Sequence, residues 1–276
     1  MTADPGKAAS TPRRPPRARP AARGSPRFVE GRVGHRRRET AEPPPVDVVL
    51  VREVHRRLAR RFVPLDPPVR REPVEELVLT VLSQNTSDVN RDRAFAALRE
   101  RFPTWESLAD ARVEDVADAI RPGGLAQTKA PMILAILREI RDRDGSLDLG
   151  WMREASDDEV AAYLESLRGV GPKTAAVVLA FSLGRPALPV DTHVHRVAGR
   201  LGWIPPGTGA GPAHEVLRRL VLPRLRVSMH VGLIRLGREI CTAGRPSSEA
   251  CPWNDLCPTA PLYLGGKTRG AWGGMG

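Results

Sequence analysis

The chain has 276 residues, a length that predicts one large domain or two small ones. Hydrophobic residues make up 41%, and no apolar run reaches the roughly 18 residues that cross a membrane, so we exclude wholesale disorder and a spanning helix. The net charge of +11 favours a polyanionic partner, and three clustered cysteines without a secretory signal predict a cytoplasmic protein, nucleoid-associated if bacterial.

Residues 1–45 are rich in Pro, Arg, Ala and Gly and have no apolar periodicity, so we predict a disordered basic arm. The arm carries +7 of the net charge, which leaves the rest of the chain only mildly basic. Such an arm can hold phosphate groups without reading a base sequence, although a solvated extension with no partner has the same composition. At the other end, residues 261–276 predict a flexible tail.

Between these ends, apolar residues recur at helical spacing, and no segment alternates every two residues as a half-buried strand does. Aromatic residues make up only 4% of the chain. We therefore predict an all-α protein of about ten helices. The predicted helical segments are residues 48–62, 75–82, 95–102, 108–120, 130–140, 157–166, 173–183, 192–201, 213–220 and 227–240.

The most informative stretch, L-R-G-V-G-P-K-T-A-A at residues 167–176, joins two predicted helices. Gly169 and Gly171 allow positive φ and a close backbone approach, and Val170 between them can anchor the turn in the core. The helix that follows presents free N–H groups, so the stretch predicts a phosphate site of the helix-hairpin-helix type. The alternative is a tight connection between helices with no ligand.

Lys173 lies at the mouth of this hairpin, in a chain with only four lysines against 39 arginines. Partial burial and the helix N-terminus disfavour its ammonium form and predict a lowered pKa. A neutral amine there could attack the C1′ carbon of a sugar and form a Schiff base. Asp191 lies eighteen residues further on, before another helix, where it could also serve as an N-cap.

The hairpin with its lysine, followed by V-D-T-H-x-x-R-V at residues 190–197, resembles the endonuclease III family of helix-hairpin-helix DNA glycosylases. The resemblance covers residues 46–260 and includes the polar loop after Leu82 and a G-L-x-x-x-K-A loop at residues 124–130. It implies two lobes. One is a helical barrel with the hairpin at residues 75–185, and the other combines residues 46–70 with 190–260.

The resemblance implies that Lys173 is the nucleophile and that Asp191 assists it and stabilises the cationic sugar. A base inside a duplex must be flipped out, with Gln84 or Asn85 filling the gap and Leu125 wedging the stack. His193 matches a position beside the lesion, or is a helix-start histidine bonded to backbone, and Arg196 would support the fold by an ion pair. The candidate DNA-binding residues are Gln84, Asn85, Leu125, Arg168, Gly169, Val170, Gly171, Thr174 and His193.

Two hairpin positions depart from the family, which usually has Pro at Arg168 and a basic residue at Pro172. Proline is tolerated in a first helical turn, and Arg168 could supply the phosphate charge.

All the cysteines of the chain lie near its end, where the family binds a 4Fe–4S cluster through C-x6-C-x2-C-x5-C. Cys241, Cys251 and Cys257 match the first, third and fourth ligands, and Ser248 stands at the second. Three interpretations stay open. Ser248 or another oxygen completes the cluster, a smaller or labile cluster forms, or the loop packs without metal.

We expect a monomeric base excision repair glycosylase with AP-lyase activity that acts on damaged duplex DNA, most simply on oxidised pyrimidines, without a nucleotide cofactor. One alternative is a monofunctional mismatch glycosylase, against which Lys173 argues because hydrolysis by water needs no amine. The other is a non-catalytic helix-hairpin-helix DNA-binding protein, against which Asp191 at the family's spacing argues.

Overall fold

A computed structural model describes residues 48–65 and 70–264. The predicted arm at residues 1–45 and most of the predicted tail, from residue 265 onward, lie outside the described residues. All described residues fall within one compact unit, Glu42–Gly276. None of the helices in these two ranges is both long and apolar enough to cross a membrane.

The predicted all-α class is confirmed, because residues 48–65 and 70–264 form helices, turns and loops and contain no strand. Short 3₁₀ turns join several of the helices, and α8 continues directly into a π turn at Val178–Ser182. The α-helices are α1 (Val48–Arg61), α2 (Pro73–Ser83), α3 (Asp88–Arg101), α4 (Trp105–Ala109), α5 (Val113–Ala119), α6 (Ala126–Asp144), α7 (Asp157–Ser166), α8 (Pro172–Val177), α9 (Thr192–Arg200), α10 (Ala210–Leu220) and α11 (Arg226–Glu239).

The first lobe packs α2 to α8 around one apolar core. Helix α2 is buried on nearly every side, and the 19-residue α6 adds Ile133, Leu137 and Ile140 to the same core. A helix that is apolar nearly all round must lie inside its lobe. Functional groups on α2 are therefore held in a rigid environment.

The second lobe gathers α1, α9, α10 and α11 around a separate core that includes the fully buried Trp203 and Trp253. Helices α1 and α11 approach closely at Gly232, where a Cβ atom would lie only 2.9 Å from Leu58 Cδ1. The second lobe thus combines the start of the described chain with its end.

The segment predicted as one helix at residues 108–120 is in fact two, α4 and α5. A capping box between Thr104 and Ser107 starts α4 earlier than the apolar pattern indicates. Arg112 then takes an extended conformation with ψ of 147°, which interrupts the helix while Leu108 and Val116 still reach the same core.

Candidate active site

A cleft of about 1590 Å³ is lined by residues of both lobes. Lys173 and Asp191 both line it, together with Gln84, Asn85 and His193. Seven basic side chains face this cleft against three acidic ones, so its potential favours a polyanion. The other predicted DNA-binding residues, Leu125 and those at 168–171 and 174, lie outside its lining.

The hairpin that precedes α8 turns at Gly169, whose φ of +85° is left-handed. A Cβ atom there would also lie 3.3 Å from Met132 Cγ, so both the conformation and the packing favour glycine. In the described part of the chain, the N–H groups of Gly169 and Gly171 make no hydrogen bond. They remain available to phosphate oxygens, as the hairpin pattern predicts.

One hairpin residue differs from the prediction in its backbone conformation. Gly171 has φ of −113°, ordinary extended backbone, so it does not use the positive φ expected of it. Thr174 is 5% exposed and its N–H donates to Gly171 O at 2.9 Å, so this N–H holds the hairpin together and is not free for a phosphate oxygen. Val170 is buried as an anchor and its N–H donates to Leu167 O. Arg168 is exposed, and its guanidinium forms no ion pair with a described residue.

Lys173 is the second residue of α8 and is half-buried in the cleft wall. Burial lowers the pKa of its ammonium group, while the negative charges of Asp191 and Glu76 act in the opposite direction. A lysine with a lowered pKa is neutral, and therefore nucleophilic, over a wider pH range than a solvated one. This result agrees with the sequence prediction for Lys173.

Asp191 is the N-cap of α9, where its Oδ1 accepts a hydrogen bond from Val194 N at 2.8 Å. Its other carboxylate oxygen makes no hydrogen bond to the described residues. One oxygen thus fixes the side chain while the second is left for the cleft, so capping and catalysis are compatible. Close by, the buried His230 bonds Pro189 O through Nδ1, and burial lowers its pKa to about 4, so it stays neutral.

Asn85 and Leu125 are the two non-glycine residues of the described ranges with positive φ, 51° in each case. Such strain is uncommon outside glycine and clusters at functional sites. Leu125 is also 54% exposed, an unusual position for a large apolar side chain. A left-handed backbone at Asn85 and Leu125, and an exposed apolar side chain at Leu125, suit residues that enter a base stack.

Lys129, the lysine of the G-L-x-x-x-K-A loop, connects the two loops that carry these residues. It is only 2% exposed, and its Nζ donates to Leu82 O at 2.8 Å and to Gly123 O at 2.9 Å. Leu82 precedes the loop of Asn85, and Gly123 precedes Leu125. The buried ammonium therefore fixes the two loops relative to each other.

His193 and Arg196 form a pair at the cleft, with Arg196 Nη2 3.1 Å from His193 Nδ1. Among the described residues, Arg196 does not form the ion pair predicted for it. Its guanidinium instead donates to the backbone oxygens of Gly237 and Cys241 at 2.8 and 3.1 Å. Arg196 still supports the fold, because it satisfies the carbonyl groups at the end of α11.

Glu76 and Thr80 also line the cleft, although the pattern of their segment predicts only an apolar helix. They are 7% and 3% exposed and lie one turn apart on α2. The signal that could have indicated them is a polar residue repeated at i and i+4 within a buried helix.

The three cysteines and Ser248 converge around one small cavity, as their spacing predicts. Its volume of about 20 Å³ has room for roughly one water molecule. Burial raises the pKa of Cys251 to about 11, and Cys241 Sγ accepts a hydrogen bond from Arg200 at 3.2 Å. With Ser248 in place of a fourth thiolate, and with no group of three or more His, Cys, Asp or Glu arranged to hold a metal ion among the described residues, the residues as arranged do not fit a four-iron cluster.

Comparison with known proteins identifies the family to which the chain belongs. A profile of the HhH-GPD superfamily, described as base excision DNA repair proteins, matches residues 78–222. Endonuclease III of Thermotoga maritima is 34% identical over 210 residues, which cover 75% of this chain and 92% of that protein. A relative from Arabidopsis thaliana is 36% identical over 195 residues, with 69% of this chain and 66% of that protein covered.

Among solved structures, a trapped covalent intermediate of endonuclease III with DNA superposes with a TM-score of 0.68 and 29% identity. The superposition covers 78% of this chain and 98% of the other. The two-lobed helix-hairpin-helix fold expected from the sequence is thereby confirmed.

Proposed function

The chain belongs to the endonuclease III family of helix-hairpin-helix DNA glycosylases and lyases, and we propose that it removes damaged bases from duplex DNA through a Schiff base on Lys173. The observation that carries the proposal is the half-buried Lys173 with its lowered pKa, which shares the cleft with Asp191. The similar structure of endonuclease III is a trapped covalent intermediate with DNA, which supports the same class of mechanism here.

In the proposed reaction the neutral amine of Lys173 attacks C1′ of the extruded nucleotide. The bond from C1′ to the base breaks, and the base leaves with the electron pair and takes up a proton. The sugar ring then opens to an iminium ion that joins C1′ to the lysine nitrogen. Loss of a proton from C2′ expels the 3′ phosphate, and water releases the lysine.

Asp191 has the charge that the first of these steps requires. Positive charge develops on the sugar as the base departs, and a fixed carboxylate stabilises it without reorganising. The capping bond to Val194 N provides that fixed position.

The DNA would be held through its phosphates by the free N–H groups of Gly169 and Gly171 and the charge of Arg168. Leu125 would enter the stack, and Gln84 or Asn85 would fill the space that the extruded nucleotide leaves. Oxidised pyrimidines are the proposed substrates, consistent with the expectation from the family resemblance.

The test combines borohydride trapping with a panel of duplexes that carry different lesions or an abasic site. Borohydride reduces the iminium, so wild-type protein should form a covalent adduct with the abasic duplex. Lys173→Ala should form none while retaining DNA binding. An undiminished adduct in that variant would exclude Lys173, and excision without any adduct would favour a monofunctional enzyme.

A further inference from the structure

A carboxylate that the proposed reaction does not use lies in the wall of the cleft. Glu76 is 7% exposed, and its Oε2 is buried without a hydrogen-bond partner among the described residues. Arg71 Nη1 lies 3.8 Å from this oxygen, which is an ion pair but too long for a hydrogen bond. A buried acceptor without a donor is costly, and such a group calls for an explanation.

The surroundings of Glu76 are those of the reacting lysine. Both side chains line the cleft. The negative charge of Glu76 raises the pKa of Lys173, and the positive charge of Lys173 lowers the pKa of Glu76. Because Lys173 must reach C1′, the base attached to that carbon lies within about one base width of the amine. Glu76 is therefore placed to meet the extruded base.

The same wall offers the other contacts that a base requires. The half-buried ring of Phe181, from the π turn after α8, lies 5.6 Å from the His230 ring and lines the cleft. An aromatic ring provides a stacking face, while Glu76 and the buried Thr80 provide a polar edge. Bases are read by this combination of stacking and edge hydrogen bonds.

We propose that Glu76 is a specificity-determining residue, whose Oε2 accepts a hydrogen bond from the exocyclic amino group of a cytosine-type damaged base. The inference rests on the proposed function and names its substrate class. Burial raises the pKa of Glu76, and the positive charges of Arg71, Arg91 and Lys173 oppose that rise and favour the ionised form. In that form the carboxylate only accepts hydrogen bonds, and the amino group of cytosine is a donor. A uracil-type base has a carbonyl oxygen at the same place, which the carboxylate would repel.

The competing role for Glu76 is to accept the proton of Lys173. That role acts on the amine, so it would change the reaction of every substrate by a common factor. Recognition of the base instead changes the ratio between two bases, and it has least effect on an abasic site, which has no base to contact.

The experiment measures single-turnover excision from two duplexes of the same sequence, one with 5-hydroxycytosine and one with 5-hydroxyuracil, each opposite guanine. These bases differ at C4, which carries an amino group in one and a carbonyl oxygen in the other, and at N3, which carries a proton only in 5-hydroxyuracil. Glu76→Gln is nearly isosteric, and Glu76→Leu removes the acceptor. Glu75→Gln is the matched control, because Glu75 lies on the same helix and pairs with the same Arg71 at 3.3 Å but does not line the cleft.

Wild-type protein should prefer the cytosine lesion, and both Glu76 variants should lower that preference by about tenfold. Excision of 5-hydroxycytosine should fall by a larger factor than borohydride trapping on an abasic duplex. Glu75→Gln should keep the wild-type ratio. The inference is overturned if the ratio does not change in the Glu76 variants, if both lesions and the abasic duplex lose activity equally, or if the wild type prefers 5-hydroxyuracil. Failure of the proposed function is a separate result, in which the wild type forms no adduct at all.

Discussion

Opposing effects set the pKa of the Lys173 ammonium group. Burial lowers this pKa, and the carboxylates of Asp191 and Glu76 raise it. The amine must be neutral to attack, so the rate of trapping on an abasic duplex should rise with pH. Because burial outweighs the carboxylates, the midpoint should lie below the value of about 10.4 for free lysine.

Asp191→Asn tests this balance at a single residue. Asparagine is as good an N-cap as aspartate, so the free energy of unfolding should change by less than about 0.5 kcal/mol. Removal of an anion that stabilises the ammonium form lowers the pKa of Lys173, so the rising limb of the trapping rate should move to lower pH. Excision from a damaged duplex should fall by about 10²-fold, because no charge then opposes the cationic sugar.

The measurement is the trapping rate against pH for both proteins, alongside excision rates at neutral pH. If the rising part of the curve of trapping rate against pH stays in place or moves to higher pH in Asp191→Asn, the charge of Asp191 does not raise the pKa of Lys173. Excision at the wild-type rate would leave Asp191 with its capping role only.

At the scale of elements, the loops after α2 and before α6 act together because buried Lys129 bonds a carbonyl of each. The exposed and left-handed Leu125 stands at the end of the second loop. Its strained backbone costs on the order of 1 kcal/mol, which the fold retains although glycine would avoid it. Such a cost is expected where a side chain has a function outside the folded core.

Leu125→Gly should separate stability from function. Relief of the left-handed strain offsets the added flexibility of glycine, so the free energy of unfolding should change by less than about 1 kcal/mol. Excision from duplex DNA should fall by about tenfold or more, because extrusion of the base then lacks its wedge. Trapping on single-stranded abasic DNA, which needs no wedge, should fall much less.

Leu262→Gly is the control, since it removes another exposed leucine, 40% accessible, at a position without positive φ. It should lower stability and leave excision unchanged. If Leu125→Gly keeps full activity on duplex DNA, the residue does not enter the stack.

The helices, the hairpin and the pair of Lys173 and Asp191 were predictable, because each is encoded in a short stretch with its own periodicity, turn residues or spacing. Lys129 and Glu76 were not. Lys129 acts on a carbonyl 47 residues away, and the importance of Glu76 comes from burial that only tertiary packing creates. Arg196 was placed correctly as a supporting residue but with the wrong partner, since nothing in the sequence indicates which backbone oxygens face it.

For the whole molecule, the basic charge is divided between the cleft, which we propose acts on DNA, and the N-terminal arm, which we propose holds it. The cleft has seven basic side chains against three acidic ones, whereas residues 1–45, outside the described part, carry +7 of the total of +11. The affinity for duplex DNA falls as salt rises, and each phosphate contact by a basic side chain steepens the slope of log affinity against log salt concentration by about 0.9. The arm and the cleft should therefore contribute separately to that slope.

Deletion of residues 1–45 should weaken binding to duplex DNA at low salt and flatten the salt dependence by about 0.9 for every phosphate that the arm contacts. The order in which different lesions are excised should not change, because contacts to phosphate carry no base information.

A full-length chain with the eleven basic residues of the arm replaced by Gln is the matched control, since it keeps the length and removes the charge. Both proteins should show the same flattened slope in binding measured from low to physiological salt. An unchanged slope after deletion would mean that the arm does not touch phosphate, and a flattened slope in the deletion alone would assign the effect to something other than its charge.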